Sequence, residues 1–189
     1  MLLSAHRELK AAIVAIPPKE KDKLLLRLIA KDKVLTEHLH FKLLENESDL
    51  EERQINLQEE IENGIAELLA NRKYNSKDTT AVMRKFNGRI NHHAKVTKDL
   101  KSEVELRINL LNLIPVIYKE SVFSALSKFN DKLLVYFVKT TSSVWKKYQK
   151  LHEDLQFDLK VGFNDLLNKV YLHRKTAALA KTLGLPEEL

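Results

Sequence analysis

The sequence predicts an all-α fold, an irregular bundle of six to eight helices, several of them long. Apolar residues recur at spacings of three and four along most of the 189-residue chain, which is the period of an amphipathic helix. Glycine and proline occur only four times each, too rarely for the turns of an all-β protein or an open α/β sheet. Hydrophobic residues make up 44% of the chain, enough to bury a core, so we expect a single helical domain over 1–189.

The N-terminal part predicts two or three short helices. Pro17-Pro18 separates a first helix, capped by Ser4, from a second one, and Asp32 is a candidate N-cap of the next. Short helices joined by tight turns resemble the helical hairpins of α-solenoids such as the HEAT and TPR classes, although no second copy follows at a fixed period. Residues 1–45 are therefore also a candidate N-terminal subdomain.

A capping box begins the next predicted helix. Ser48 followed by Glu51 is the S-x-x-E pattern, in which both side chains bond the free N–H groups of the first turn. Asp78 or Thr79 is expected to cap a further helix, whose apolar stripe runs toward Pro115. Some 35 residues at 1.5 Å each would reach about 50 Å, too long for a compact bundle unless the helix bends or protrudes.

Three further features concern the longest predicted helices and the C-terminus. Gly88 lies inside the first long helix and costs it about 1 kcal/mol relative to alanine without breaking it. After Pro115 a second long helical stretch follows, with Asn130-Asp131 as a candidate interruption. Gly184 is a candidate C-cap of the last helix.

The composition excludes several kinds of site and location. Cysteine is absent, which excludes disulfides, thiolate metal ligands and a cysteine nucleophile. The N-terminus lacks the basic start and apolar run of a signal peptide, and no window approaches 18 uncharged apolar residues. The sequence therefore predicts a soluble cytoplasmic protein that does not bind a membrane.

Two adjacent histidines, His92 and His93, raise the question of a ligand pair or an acid–base pair. Neighbouring residues point about 100° apart on a helix, so both side chains cannot bind one metal ion. His93 falls on the apolar stripe and is expected to be partly buried and hydrogen-bonded, with His92 on the surface. Glu37 and His40 form E-x-x-H, half of a di-iron carboxylate motif, but no second E-x-x-H occurs. We therefore expect no metal site and no cofactor.

The clearest remaining signal is positive charge. The net charge of +6 is uneven, since residues 46–73 carry eight acidic and three basic side chains while the other segments are basic. Lysine and arginine recur along 73–101 and again at 146–150, beside Trp145 and Tyr148, which we expect to pack in the core. Positive charge at reachable spacing is enough to neutralise phosphates. The candidate nucleic-acid-binding residues are Lys77, Arg84, Lys85, Arg89, Lys95, Lys98, Lys146 and Lys147.

Three hypotheses of function follow. The first is a non-catalytic helical protein that binds a protein partner or itself through apolar helix faces and serves as a scaffold. The second is a nucleic-acid-binding helical protein that uses segments 73–101 and 146–150. The same charges also suit an ordinary solvated surface, so the second hypothesis requires that these side chains converge. The third is a helical enzyme without a motif, since no nucleophile elbow, glycine-rich phosphate loop or HExxH occurs.

Overall fold

A computed structural model describes residues 5–71, 73–116 and 127–189 of the chain. Within these residues the protein is all-α, as predicted, with nine helices instead of six to eight. In chain order they are α1 (Arg7–Ala15), α2 (Pro18–Ile29), α3 (Lys33–Leu44), α4 (Glu47–Ala70), α5 (Ser76–Thr97), α6 (Leu100–Leu113), α7 (Ser127–Tyr148), α8 (Glu153–Tyr171) and α9 (Arg174–Thr182). The predicted cap at Ser4 and the start of the helical stretch after Pro115 lie outside the described residues.

The boundaries of the short helices follow the predicted signals. α1 ends just before Pro17-Pro18, and Pro18 occupies the first turn of α2, where a missing N–H leaves no helical bond unmade. The Asp32 side chain accepts a hydrogen bond from the Leu35 N–H at 3.0 Å and so caps α3. Gly184 has φ +70°, the left-handed conformation common just past a helix end.

The caps of two long helices lie a few residues before the predicted ones. Asn46, not Ser48, caps α4 and takes part in a capping box. Asn75, instead of Asp78 or Thr79, caps α5, and the Asp78 side chain accepts a hydrogen bond from the Asn75 N–H at 3.2 Å. Asparagine serves as an N-cap as well as serine or aspartate does, so the sequence pattern does not decide between neighbouring candidates.

The predicted 35-residue helix is in fact two helices, α5 and α6. Lys98 has a left-handed backbone with φ 58° and ends α5, while Gly88 lies inside α5 without breaking it. The Asp99 side chain accepts a hydrogen bond from the Ser102 N–H at 2.6 Å and caps α6. A hydrogen bond of 2.9 Å between His93 and Ser102 joins the two helices across this turn. The chain therefore folds back here, and no 50 Å helix is formed.

The second long stretch is also divided, between α7 and α8. Tyr148 is the last residue of α7, and α8 begins at Glu153. The turn between them is fixed by the Tyr148 hydroxyl, which donates to the Gln156 carbonyl at 2.6 Å, and by the Gln156 amide, which donates to the Leu151 carbonyl at 2.8 Å. Residues 130–131 lie inside α7 and do not interrupt it.

The core lies among α4 to α9, called the body below, and each of these helices contributes fully buried side chains. The largest are Phe86, Phe137, Phe163, Ile61, Met83, Ile90, Leu106, Leu110, Leu111, Ile114, Leu133 and Leu166. No residue of α1, α2 or α3 is buried. α3 packs against α5, α2 packs only against α3, and α1 packs against no other described helix. The first two helices thus stand away from the body.

Candidate functional site

The basic residues of α5 lie on different sides of the helix. Lys77 and Arg84 are seven residues apart, nearly two full turns, and both line the space between α5 and α7. Lys85 and Arg89 line a groove between α3, α4 and α5 instead. The four side chains that the sequence placed in one segment therefore belong to two separate surfaces.

The groove between α3, α4 and α5 contains side chains of both charges. Arg89 donates to a carboxylate oxygen of Glu60 at 2.8 Å, and His92 Nε2 lies 2.6 Å from Glu37 Oε2. The Lys85 ammonium lies 5.1 Å from the centre of the Phe86 ring. The groove has a volume of about 450 Å³. Because Glu37 and Glu60 line the groove together with Lys85 and Arg89, it does not concentrate charge of one sign.

His93 is buried and His92 is exposed, as predicted. Burial lowers the pKa of His93 below its ordinary value, so this imidazole is neutral at pH 7 and hydrogen-bonds Ser102. Glu37 and His40 bind different partners, so the E-x-x-H pair does not converge. In the part of the chain that the structure describes, no three His, Asp or Glu side chains are grouped so as to hold a metal ion.

A cleft between α5 and α7, called the basic cleft below, has basic residues on both sides. It consists of two adjoining hollows that share Arg84 and Lys132. The first is lined by Lys77, Thr80, Ala81, Arg84 and Lys132, and the second by Arg84, Asp131, Lys132, Val135, Tyr136 and Lys139. The part beside α7 has a volume of about 400 Å³. Lys77 and Arg84 belong to the predicted set, whereas Lys132 and Lys139 do not. The available signal was their seven-residue spacing on α7, which repeats the spacing on α5 and puts both lysines on one helix side.

Tyr136 lies beneath Arg84 in the basic cleft and is tied to the interior. The guanidinium carbon of Arg84 is 5.6 Å from the centre of the Tyr136 ring, a cation–π distance. The Asn87 amide donates a hydrogen bond to the Tyr136 hydroxyl at 3.1 Å. The Asn87 carbonyl oxygen in turn accepts one from Arg107 at 2.8 Å. A chain of hydrogen bonds thus fixes the aromatic ring on which Arg84 rests.

Arg107 and Glu103 form a buried ion pair on α6. Arg107 Nη2 donates to Glu103 at 2.7 Å and to the Asn91 side chain at 2.5 Å. Lys147 of α7 donates to the same carboxylate oxygen of Glu103. Burial alone would raise the pKa of Glu103, but the hydrogen bonds and charges of Lys147 and Arg107 outweigh burial and hold that pKa below its ordinary value. Lys147 therefore joins α6 to α7.

The remaining predicted basic residues do not line the basic cleft. Lys95 and Lys98 are exposed near the C-terminal end of α5, and Lys146 is exposed near the end of α7. Trp145 and Tyr148, beside Lys146, have ring centres 5.6 Å apart, and Tyr148 is a buried core residue. The expected core packing of this aromatic pair is confirmed.

A partly buried amine that the sequence did not indicate lies at the C-terminal end of α6. Lys169 donates hydrogen bonds to the carbonyl oxygens of Leu111, Asn112 and Ile114 at 2.9, 2.7 and 2.5 Å. The last carbonyls of a helix lack helical partners, so the ammonium group closes this end of α6. Burial lowers the pKa of Lys169 to about 8. Because all three N–H donors are engaged, the side chain has a structural role.

Large apolar side chains are exposed on several helices, among them α1, α2 and α8. Residues 5–30, called the arm below, contain α1 and α2, and their exposed apolar residues are Leu9, Ile13, Val14, Leu24, Leu25, Leu26 and Leu28. A second surface, called the α8 face below, consists of Asp154, Phe157, Asp158, Val161 and Asp165. Phe157 is 78% exposed and Val161 is 73% exposed, so both apolar side chains are largely in contact with water. Apolar surface of this kind marks a candidate interface.

Among the described residues, no helix is both long enough and apolar enough to cross a membrane. No family model, curated protein or solved structure matches this chain. Function is therefore inferred from the side chains and their arrangement.

Proposed function

We propose that this protein is a non-catalytic helical interaction protein that self-associates, with the arm of one copy docked on the α8 face of another. The observation that carries the proposal is the exposure of the arm, in which no residue of α1 or α2 is buried. Helices of 9 and 12 residues are marginal in water on their own, and most helical stability in proteins comes from packing an apolar face. A partner that covers these leucines would supply that packing.

Charge indicates which surface covers the arm. Residues 5–30 carry six basic and three acidic side chains, so the arm is a basic segment with an apolar face. On the α8 face, three exposed aspartates surround Phe157 and Val161, with Lys160 at its flank. The two surfaces are therefore alike in apolar character and opposite in charge, which favours their association and sets its orientation.

The spacing of the apolar residues suits helix-to-helix docking. Leu24, Leu25 and Leu28 lie within about one turn of α2, and Phe157 and Val161 lie one turn apart on α8. An amphipathic helix binds a partner through anchors at such spacings. The arm and the α8 face are different surfaces of the protein. A closed dimer therefore forms only when each copy docks its arm on the α8 face of the other copy, and otherwise longer chains of copies form.

Sedimentation equilibrium of the purified protein tests this proposal. The arm variant Leu25→Glu with Leu28→Glu and the α8 variant Phe157→Glu with Val161→Glu each place charge in the contact, so both are expected to be monomeric while the wild type associates at micromolar concentration. Leu69→Glu on α4 is the matched control, since Leu69 is 46% exposed but belongs to neither surface. Circular dichroism confirms that the variants fold.

Mixing the two variants provides a stricter test. The arm variant keeps an intact α8 face and the α8 variant keeps an intact arm, so an equimolar mixture is expected to form a pair through the one remaining contact. A wild type that stays monomeric up to about 100 μM contradicts self-association. Variants that associate as well as the wild type would show that another surface is used.

A further inference from the structure

We propose that the basic cleft binds phosphate groups that follow one another along a chain, as in a single-stranded nucleic acid or inorganic polyphosphate. The cleft brings together cations from two helices. Lys77 and Arg84 on α5 lie opposite Lys132 and Lys139 on α7. Seven residues of α-helix span about 10 Å, so the cleft presents two rows of positive charge of that length. A stacked strand of nucleic acid carries a phosphate every 3.4 Å of helix axis, so up to about three phosphates of a single strand fit along it.

Three of these four cations, Lys77, Arg84 and Lys139, differ in their pairing from two basic residues nearby. Arg89 and Lys147 each pair with a glutamate. Within the described residues, no carboxylate forms an ion pair with Lys77, Arg84 or Lys139. Positive groups that share a cleft without counter-charge raise the local potential and attract anions.

The acidic residue in the lining does not cancel this potential. Asp131 accepts a hydrogen bond from Lys175 of α9 at 2.8 Å, so its charge is already balanced by a further lysine at the edge of the cleft. The ion pairs of Glu103 also leave a net positive charge. One carboxylate is shared by Arg107 and Lys147, so one positive charge is in excess.

Arg84 is held in a position that suits phosphate. Its guanidinium carbon lies over the Tyr136 ring, 5.6 Å from the ring centre, and Asn87 donates a hydrogen bond to the Tyr136 hydroxyl. A guanidinium group stacked on an aromatic face keeps the N–H donors at its edge for a phosphate, which it binds through two parallel hydrogen bonds. Val135, 40% exposed, adds an apolar contact beside this position.

Fluorescence anisotropy with a fluorescein-labelled oligothymidine of about 12 nucleotides tests the inference. Contacts from Lys77, Arg84 and Lys139 to three phosphates of a single strand predict a slope of log affinity against log salt near −2, so affinity should fall about 20-fold between about 50 and 200 mM salt. The variant Lys77→Gln with Lys139→Gln removes one contact from each helix and should reduce the slope to about −0.7. Lys146→Gln with Lys150→Gln makes the same change of charge on exposed residues outside the cleft and should leave the slope unchanged.

Competition with unlabelled inorganic tripolyphosphate distinguishes the two sources of phosphate. Displacement of the oligonucleotide at an equal concentration of phosphate groups identifies linked phosphates as the ligand, whereas failure to displace it identifies the nucleic-acid strand. The inference is overturned if the wild type binds neither probe at about 50 mM salt, or if both lysine pairs weaken binding equally. The outcome is independent of self-association, because the arm and the α8 face include none of the cleft residues.

Discussion

Two glycines inside helices are expected to respond to alanine in opposite ways. Gly64 of α4 faces Phe86 of α5, and a Cβ added at residue 64 would lie 2.6 Å from Cε2 of that ring and closer still to Cζ. Phe86 is 2% exposed, so the ring has no free space into which it can move. Gly88 of α5 is also inside a helix, but a Cβ there would meet nothing within 4 Å.

The difference between the two variants isolates the close contact. Replacing glycine by alanine inside a helix stabilises it by about 1 kcal/mol, and this gain applies at both positions. Overpacking a core costs about 1–3 kcal/mol, and this cost applies only at Gly64. We therefore expect Gly88→Ala to raise the free energy of unfolding by about 1 kcal/mol, and Gly64→Ala to lie about 1–3 kcal/mol below Gly88→Ala.

Urea denaturation followed by circular dichroism measures both free energies, and thermal unfolding should separate the two midpoints by about 2–12 °C. Phe86→Leu provides a check, because a smaller side chain makes room for the new methyl group. In the Phe86→Leu background, the loss of unfolding free energy caused by Gly64→Ala should be at least about 1 kcal/mol smaller than it is in the wild type. If Gly64→Ala stabilises the protein as much as Gly88→Ala does, the close packing of α4 on α5 is refuted.

Two further predictions concern buried charges. Glu103→Ala leaves Arg107 buried without its counter-ion and should lower the free energy of unfolding, measured in urea, by about 3–5 kcal/mol. The control Glu105→Ala, on the same helix, should change that free energy by less than about 1 kcal/mol. Equal effects of the two substitutions would contradict the buried ion pair. Lys169 has its pKa lowered by burial to about 8, so from that pH up to the ordinary value of 10.5 the unfolded chain binds more protons than the folded one. Stability should therefore rise by about 2 kcal/mol between about pH 7.5 and 9.5, and a rise that persists in Lys169→Met would exclude this amine as its source.

The helices could be predicted from the sequence because each one depends on neighbouring residues. The spacing of apolar residues, the Pro17-Pro18 pair and the Asp32 cap are local signals, and all three have their expected effect. The turns at Lys98 and after Tyr148 were missed because the apolar period continues across them. At Lys98 the break depends on a left-handed residue other than glycine, which sequence patterns seldom signal.

The arrangement of charges could not be predicted because it depends on contacts between residues far apart in the chain. Lys77 and Lys132 are 55 residues apart, and the basic cleft exists only because α5 packs against α7. Lys169, which bonds carbonyls at the end of α6, likewise has no signal in the residues around it. His93 was predicted correctly because the helical period alone places it on the buried side of α5.

Segment charge is a poor guide to binding because ion pairing is decided side chain by side chain. The acidic segment 46–73 supplies Glu60, which neutralises Arg89 but does not reach Arg84, five residues earlier on the same helix. Glu103 likewise forms an ion pair with Lys147, while Lys139, two turns earlier on α7, forms no ion pair with a described carboxylate. In each case the residue nearer the basic cleft has no ion pair with a described carboxylate, whereas the residue farther from the cleft has one. Replacing Arg84 should therefore weaken anion binding, whereas replacing Arg89, whose half-exposed ion pair with Glu60 contributes less than about 1 kcal/mol, should leave anion binding unchanged.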